Sequence, residues 1–322
     1  MSKEVLCGVD IGGTKLSIGL VHADGKLADS ITMHDHVGKE PDQIVAQTVE
    51  GIHSLLAKNS LSADNLRGIG VGTAGHLRYR DGILITMSNL RGFEGYPLRE
   101  RLQQSFDAPV AVDNDANAQA FGEFKYGSGI GFENMIFMTL STQIGSGIVL
   151  DGRLFRGMTG TAGEIGHTIV EPSTDLTCPC GNRGCLIAVA SGVALPHVSR
   201  RKAASGIPSK LVGGEGFDYS TVTGELILKG IRAADPLCIS IVEDFADYIG
   251  IACYNVFQIF NPQAIVLGGG LMSWGDIFFD KITARFRSLA GRMMYEDVAV
   301  RKASVGRHSG VIGAASLALE DA

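Results

Sequence analysis

Val5-Leu6-Cys7-Gly8-Val9-Asp10-Ile11-Gly12-Gly13-Thr14-Lys15-Leu16-Ser17-Ile18-Gly19-Leu20-Val21 opens the chain. Its pattern returns near the middle as Met135-Ile136-Phe137-Met138-Thr139-Leu140-Ser141-Thr142-Gln143-Ile144-Gly145-Ser146-Gly147-Ile148-Val149-Leu150. Each copy reads as an apolar strand (5–10 and 135–141), a glycine-containing turn (12–15 and 142–147) and a returning strand (16–21 and 148–150). Each is then closed by a hairpin dipeptide, Asp24-Gly25 or Asp151-Gly152. In the first copy residues 27–32 add a third strand. A duplicated strand, glycine loop, strand and hairpin implies two similar α/β lobes. Two such glycine loops could grip a polyphosphate from both sides, because bare backbone amides suit phosphate oxygens.

Between and beyond the copies the pattern alternates. From Pro41, apolar residues at Ile44, Val45, Val49, Ile52, Leu55 and Leu56 keep helical spacing. Residues 67–72 read as a buried strand, 97–106 as a short helix, 109–113 as a strand, and 114–127 as a helix opening on Asn-Asp. Residues 236–260 predict a long helix stopped by Asn261-Pro262. The wholly apolar strand 264–267 runs straight into Gly268-Gly269-Gly270, where a nucleotide can lie close to the backbone.

Composition bounds the function. The 322 residues are 45% apolar, enough for more than one core. Net charge is −6, and no run of Lys or Arg is longer than three residues, which argues against a nucleic-acid surface. No apolar stretch reaches the roughly eighteen residues of a membrane span, and no signal segment precedes the first strand, so the expected location is the cytoplasm. The 43 glycines are expected in short loops after strands. Cys7 and Cys253 lie in apolar segments and suit core packing; Cys238 has no assigned role.

A second stretch carries its own chemistry. Gly163-Glu164-Ile165-Gly166-His167 is followed by Cys178-Pro179-Cys180-Gly181-Asn182-Arg183-Gly184-Cys185, so one imidazole and three thiols fall within nineteen residues. His167, Cys178, Cys180 and Cys185 form the donor set of a closed tetrahedral zinc site, with a disulfide or unliganded thiols as the alternative. Four protein donors leave no open position. The metal would therefore be structural, and the chemistry would lie beside it, with Glu164 the first candidate.

These motifs together resemble the ROK family of sugar kinases and regulators (repressors, open reading frames, kinases). The resemblance rests on Asp10-Ile11-Gly12-Gly13-Thr14-Lys15, Asn114-Asp115-Ala116-Asn117, the His-Cys stretch, Ile265-Val266-Leu267-Gly268-Gly269-Gly270 and Gly313-Ala314-Ala315, nearly the whole chain. It implies a two-lobed actin-like (ribonuclease-H-like) α/β ATPase fold with a central nucleotide and sugar cleft. The small lobe would hold residues 1–116 and a returning C-terminal helix within 303–322. The large lobe would hold 117–302 with the zinc loop 167–185. Family regulators carry a DNA-binding module ahead of the first phosphate loop. Here Asp10 has only nine residues before it, which favours the kinase.

The resemblance also implies roles. Asp115 would be the general base for the 6-hydroxyl of a hexose, although by position alone it also reads as an acid at a helix start. Asn114, Glu164 and His167 would contact the sugar, with Gly75 beside it and Asn89 on its rim. Asp10 would approach Mg²⁺, directly or through water. Gly12, Gly13, Thr14 and Lys15 would form one phosphate loop, Thr142 and Gly145 the other, and Gly268, Gly269 and Gly270 would line the adenosine. The expected reaction is transfer of the ATP γ-phosphate to a hexose or hexosamine, in a homodimer or homotetramer. Glucose, mannose, N-acetylated hexosamines, fructose and allose fit in outline. Three positions depart from the family pattern: Ile187 where kinases usually carry a sugar-binding Glu, Gln143 where Gly is usual, and Ala74 for a common Pro. If position 143 required positive φ, Gln would be strained there. The first two departures motivate an alternative: a sugar-binding sensor or vestigial kinase that transfers phosphate weakly.

Overall fold

The structure, a computed structural model, describes residues 4–87, 90–291 and 297–320. The first part of the chain forms β1 Val5–Ile11, β2 Leu16–Val21, β3 Leu27–Met33, α1 Pro41–Lys58, β4 Leu66–Thr73, the short strands β5 Leu77–Arg78 and β6 Ile83–Leu84, α2 Leu98–Gln103, β7 Val110–Asn114 and α3 Asp115–Tyr126. There follow β8 Met135–Leu140, β9 Ile144–Leu150, β10 Arg153–Leu154, α4 Leu186–Ala190, α5 Leu195–Ala204, α6 Gly224–Arg232 and α7 Pro236–Phe260. The last elements are β11 Ala264–Gly268, α8 Asp276–Ala290, β12 Ala299–Lys302 and α9 Ser309–Leu317. Among the described residues no helix is long and apolar enough to cross a membrane.

Two five-stranded sheets share one strand order. The first runs β3-β2-β1-β4-β7 and the second β10-β9-β8-β11-β12, so each places its later strands beside the first, opposite the hairpin. In the first sheet β1, β2 and β3 are antiparallel, whereas β1, β4 and β7 are parallel. In the second, β9 and β10 are antiparallel and β11 and β12 parallel. This repeated order is the ribonuclease-H-like arrangement of actin-like ATPases, and it realises the duplication seen in the sequence.

The chain divides into two compact units: Met1–Phe137 with Gly147–Gly163 and Ala303–Ala322, and Met138–Ser146 with Glu164–Lys302. This grouping keeps α3 in the first unit, whereas a boundary after residue 116 would cut through its first turn. The cause is packing. A Cβ on Gly122 of α3 would lie 2.7 Å from the Gly313 Cα of α9, so the two helices meet backbone to backbone.

Alternation along β1 shows how the first unit is layered. Val5, Cys7, Val9 and Ile11 join the core beneath α1, with Ile44, Ile52, Leu55 and Leu56. Leu6 turns the other way, to Val311, Ile312 and Ala315 of α9. On that second face Gly19, Gly8 and Gly70 stand in register across β2, β1 and β4. A Cβ on Gly8 would meet the Val311 carbonyl at 1.9 Å, and one on Gly70 the Ala314 carbonyl at 1.7 Å. These glycines sit inside strands, as the reading of 5–10, 16–21 and 67–72 places them, and they form a floor for α9.

In the second unit α7 buries Ile241, Val242, Phe245, Ile249, Val256 and Phe257. Asp235 caps its start, accepting the Cys238 amide at 3.1 Å, and Asn261 ends it in the left-handed conformation at φ 43°. Cys238 is buried where α7 meets Gly230 of α6, a packing role.

Candidate functional site

In the first unit the turn after β1 closes with the Gly12 amide donating to the Lys15 carbonyl at 2.9 Å, leaving Thr14 and Lys15 exposed. Asp10 sits at the end of β1, with Lys15 Nζ 3.6 Å from its carboxylate. Burial raises the Asp10 carboxyl above its ordinary range, and Lys15 offsets this only in part. A buried carboxylate short of positive charge suits a divalent cation. Beside it opens a cavity of about 190 Å³, with Ser17, Thr32, Arg307 and His308 on its walls. Two histidines hold the turn from below. Buried His36 places Nε2 2.8 Å from the Gly12 carbonyl, and His34 places Nδ1 3.2 Å from that of Thr14. Neither was singled out by the sequence, where they stand as the pair His34-Asp35-His36 in a polar segment.

Asn114 and Asp115 lie where β7 becomes α3. The Asn114 side chain caps the helix, accepting the Ala116 amide at 2.8 Å, and donates from Nδ2 to the Gly75 carbonyl at 3.0 Å. Asn114 and Gly75, both expected near the sugar, are thus joined directly. Gly75 has φ 128°, and a Cβ there would meet the Thr86 carbonyl at 2.2 Å, so this loop admits only glycine. Asp115 is the first residue of α3, half-buried and close to Gly72 of β4, where a Cβ would lie 3.6 Å from the Asp115 Cα. Asn89 lies outside the described residues.

In the second unit the turn after β8 is shorter than expected. β9 begins at Ile144, so Gly145 stands on the strand and only residues 141–143 turn. Gln143 is absent from the residues with positive φ, so the strain considered for it does not arise. Thr142 is tied down, its carbonyl accepting the Val193 amide at 2.9 Å. The glycines after β11 come to the same place. Gly269, at φ 92°, lies so close that a Cβ would fall 2.4 Å from the Leu140 carbonyl, and a Cβ on Gly270 would be 3.6 Å from Ser141 Oγ. The 268–270 segment and the turn that carries Thr142, expected on one nucleotide, thus meet at Leu140 and Ser141.

Glu164 and His167 bracket a short 3₁₀ turn, with His167 Nε2 4.0 Å from the Glu164 carboxylate. The other ring nitrogen, Nδ1, is 3.4 Å from Cys178 Sγ, and Cys180 Sγ is 3.7 Å from Cys185 Sγ. All four donor atoms lie within 4.8 Å of one another. Zinc bonds of about 2.3 Å to sulfur and 2.0–2.1 Å to nitrogen put such donors roughly 3.5–3.8 Å apart, so the cluster has the size of a zinc tetrahedron. Its electrostatics agree. Burial pushes the Cys185 thiol up to about 12, while the Asn182 backbone amide and the neighbouring thiols draw Cys180 down to about 6. Three crowded thiols cannot all ionise without a cation among them. None of the six cysteines is in a disulfide.

A family model described as "ROK family" matches residues 6–321. A glucokinase of Halalkalibacterium halodurans is 32% identical over 316 residues, 97% of this chain and 94% of the relative. The crystal structure of a ROK family glucokinase from Streptomyces griseus, in complex with glucose and AMPPNP, superposes with TM-score 0.79 at 31% identity, covering 98% of this chain and 99% of that one. A xylose repressor of Caldicellulosiruptor bescii is 27% identical over all of this chain and 80% of the repressor. With its two repeated sheets and a family match from the first strand to the last helix, the chain belongs to the ROK family.

Proposed function

We propose that this protein is an ATP-dependent hexose kinase that transfers the γ-phosphate to the sugar's 6-hydroxyl. Full-length similarity at 31% identity to a glucokinase holding glucose and AMPPNP carries the reading. Asp115 accepts the hydroxyl proton as the sugar oxygen bonds to the γ-phosphorus and the bond to ADP breaks. Asn114 and Gly75 border the sugar, and Glu164 and His167 bind its remaining hydroxyls. The Gly12–Lys15 turn and the Thr142 turn bind phosphates, Asp10 would hold Mg²⁺ directly or through water, and Gly268–Gly270 lines the adenosine. Mg²⁺ supplies charge neutralisation on the phosphates. His167, Cys178, Cys180 and Cys185 would hold a structural zinc, which fixes the tautomer and direction of the imidazole that meets the sugar.

Ile187 favours a second reading, in which the protein binds a sugar but transfers phosphate weakly. Its side chain is buried and has no group to accept a hydrogen bond. Single-turnover measurements with enzyme in excess over [γ-³²P]ATP and glucose or N-acetylmannosamine separate the two. The kinase reading expects labelled sugar phosphate within seconds. Saturable sugar binding with no label transferred supports the second reading and defeats the first.

A further inference from the structure

Arg156 follows β10 and belongs to no motif, yet it sits at the centre of a buried charge network. Its Nε donates to Asp113 Oδ2 at 2.6 Å, its Nη1 to Glu320 Oε1 at 2.8 Å, and its Nη2 to Glu320 Oε2. Asp113, at the end of β7, is only 2% exposed. Its second oxygen, Oδ1, accepts the Asn114 amide at 2.7 Å and Asn117 Nδ2 at 2.9 Å. Those two asparagines flank Asp115: one caps α3, the other lies in its first turn. A continuous line of hydrogen bonds therefore runs from Glu320 through Arg156 and Asp113 to both sides of Asp115.

The charge balance explains why this line is rigid. A buried carboxylate is costly unless it is paired, and burial alone pushes the Asp113 carboxyl up. The guanidinium is held in one orientation by two carboxylates, and its fork matches Glu320 with two parallel bonds. Without the guanidinium, Asp113 would take up a proton or turn away. Either change loosens the bonds that aim Asn114 and the first turn of α3.

We propose that Arg156 is a positioning residue for Asp115, acting through Asp113, with Glu320 fixing the guanidinium. The proposal rests on Asp115 as general base. It accounts for a buried Arg–Asp pair beside a helix start that is already capped by Asn114 and needs no further anchor to form.

The test uses Arg156→Ala, because a cavity of about 500 Å³ lined by Tyr79, Arg99, Arg153, Asp113 and Glu320 opens beside this side chain and can admit a free guanidinium ion. Expected are a fall in kcat of about 10–100-fold, the scale of a misplacement near 1 Å, with KM for ATP and sugar within about threefold. Millimolar guanidinium chloride should recover the greater part of the loss. The same concentration of NaCl should recover none, and wild type should not respond. A folded Arg156→Ala with unchanged kcat, or with a loss that guanidinium does not recover, overturns the proposal. Should Arg156→Ala not fold, Arg156→Lys and Glu320→Gln replace it: a lower kcat at unchanged KM supports the relay, and an unchanged kcat overturns it. Asp115→Asn distinguishes the two levels. Wild-type turnover in that variant removes the base itself, whereas an inactive Asp115→Asn beside an unaffected Arg156→Ala defeats only the relay.

Discussion

Ile187 stands two residues past the last metal-loop cysteine, on the first turn of α4, and is 2% exposed. A Cβ on Gly166 would lie 2.8 Å from its Cδ1, so the side chain is turned towards the backbone of the turn that carries Glu164 and His167. From that place a carboxylate could accept hydrogen bonds from sugar hydroxyls near carbons 1 and 2, worth about 1.5–3 kcal/mol each. Ile187→Glu should therefore lower KM for glucose and mannose by roughly tenfold or more with little change in kcat, because these hydroxyls are remote from the reacting oxygen. Measuring kcat/KM for glucose, mannose and N-acetylmannosamine in both forms checks this, and an unaltered ranking would show that position 187 does not reach the sugar. Residues of this kind were legible in the sequence because a motif surrounds them. Arg156, Asp113 and Glu320 were not. Their bonds span 43 and 164 positions, and no local pattern announces a pairing that only the fold creates.

The convergence of His167, Cys178, Cys180 and Cys185 to within 4.8 Å was legible in the sequence, since donors crowded into so short a stretch leave few ways to fold. Metal analysis of protein purified without chelator should find about one zinc per chain, and Cys180→Ser should abolish it and lower the melting temperature. Wild-type protein with no zinc would refute the site. The N-terminus of α7 makes a different prediction. Burial works against the charge on Asp235, but the Lys210 and Cys238 amides and the Ser209 hydroxyl outweigh it and hold the carboxyl below its ordinary range. The stabilisation is therefore complete above about pH 4, the ordinary carboxyl value, and is lost as pH falls through the lower folded value. Asp235→Ala should cost about 1–2 kcal/mol at pH 7, the usual loss for a cap, and less in acid. A denaturation midpoint unchanged at pH 7 would contradict it. Strand interiors were harder to read. Residues 5–10, 16–21 and 67–72 were legible as strands, but the reason Gly8, Gly19 and Gly70 stand inside them was not, because it is α9 lying on them.

At the scale of the molecule, duplication was the strongest signal, and the two sheets share one strand order although their loops differ. The first copy kept its glycine turn. In the second, β9 starts at Ile144 and draws Gly145 and Gly147 into the strand, where Gly147 makes room for Ala120 and the Ala116 carbonyl of α3. A glycine in a turn and a glycine under a helix read alike in one dimension, so the fold was clearer than the boundaries of its second loop. Kinase chemistry is the central claim, and identifying the product tests it most directly. The protein should be incubated with Mg²⁺-ATP and, separately, glucose, mannose, N-acetylmannosamine, N-acetylglucosamine, fructose and allose, following ADP release and locating the phosphate by ³¹P and ¹³C NMR. The account predicts ADP release that depends on at least one of these sugars, with the phosphate on its carbon-6 oxygen. Phosphate at another position would contradict the role given to Asp115, and no sugar-dependent ADP release from zinc-loaded protein would contradict the kinase.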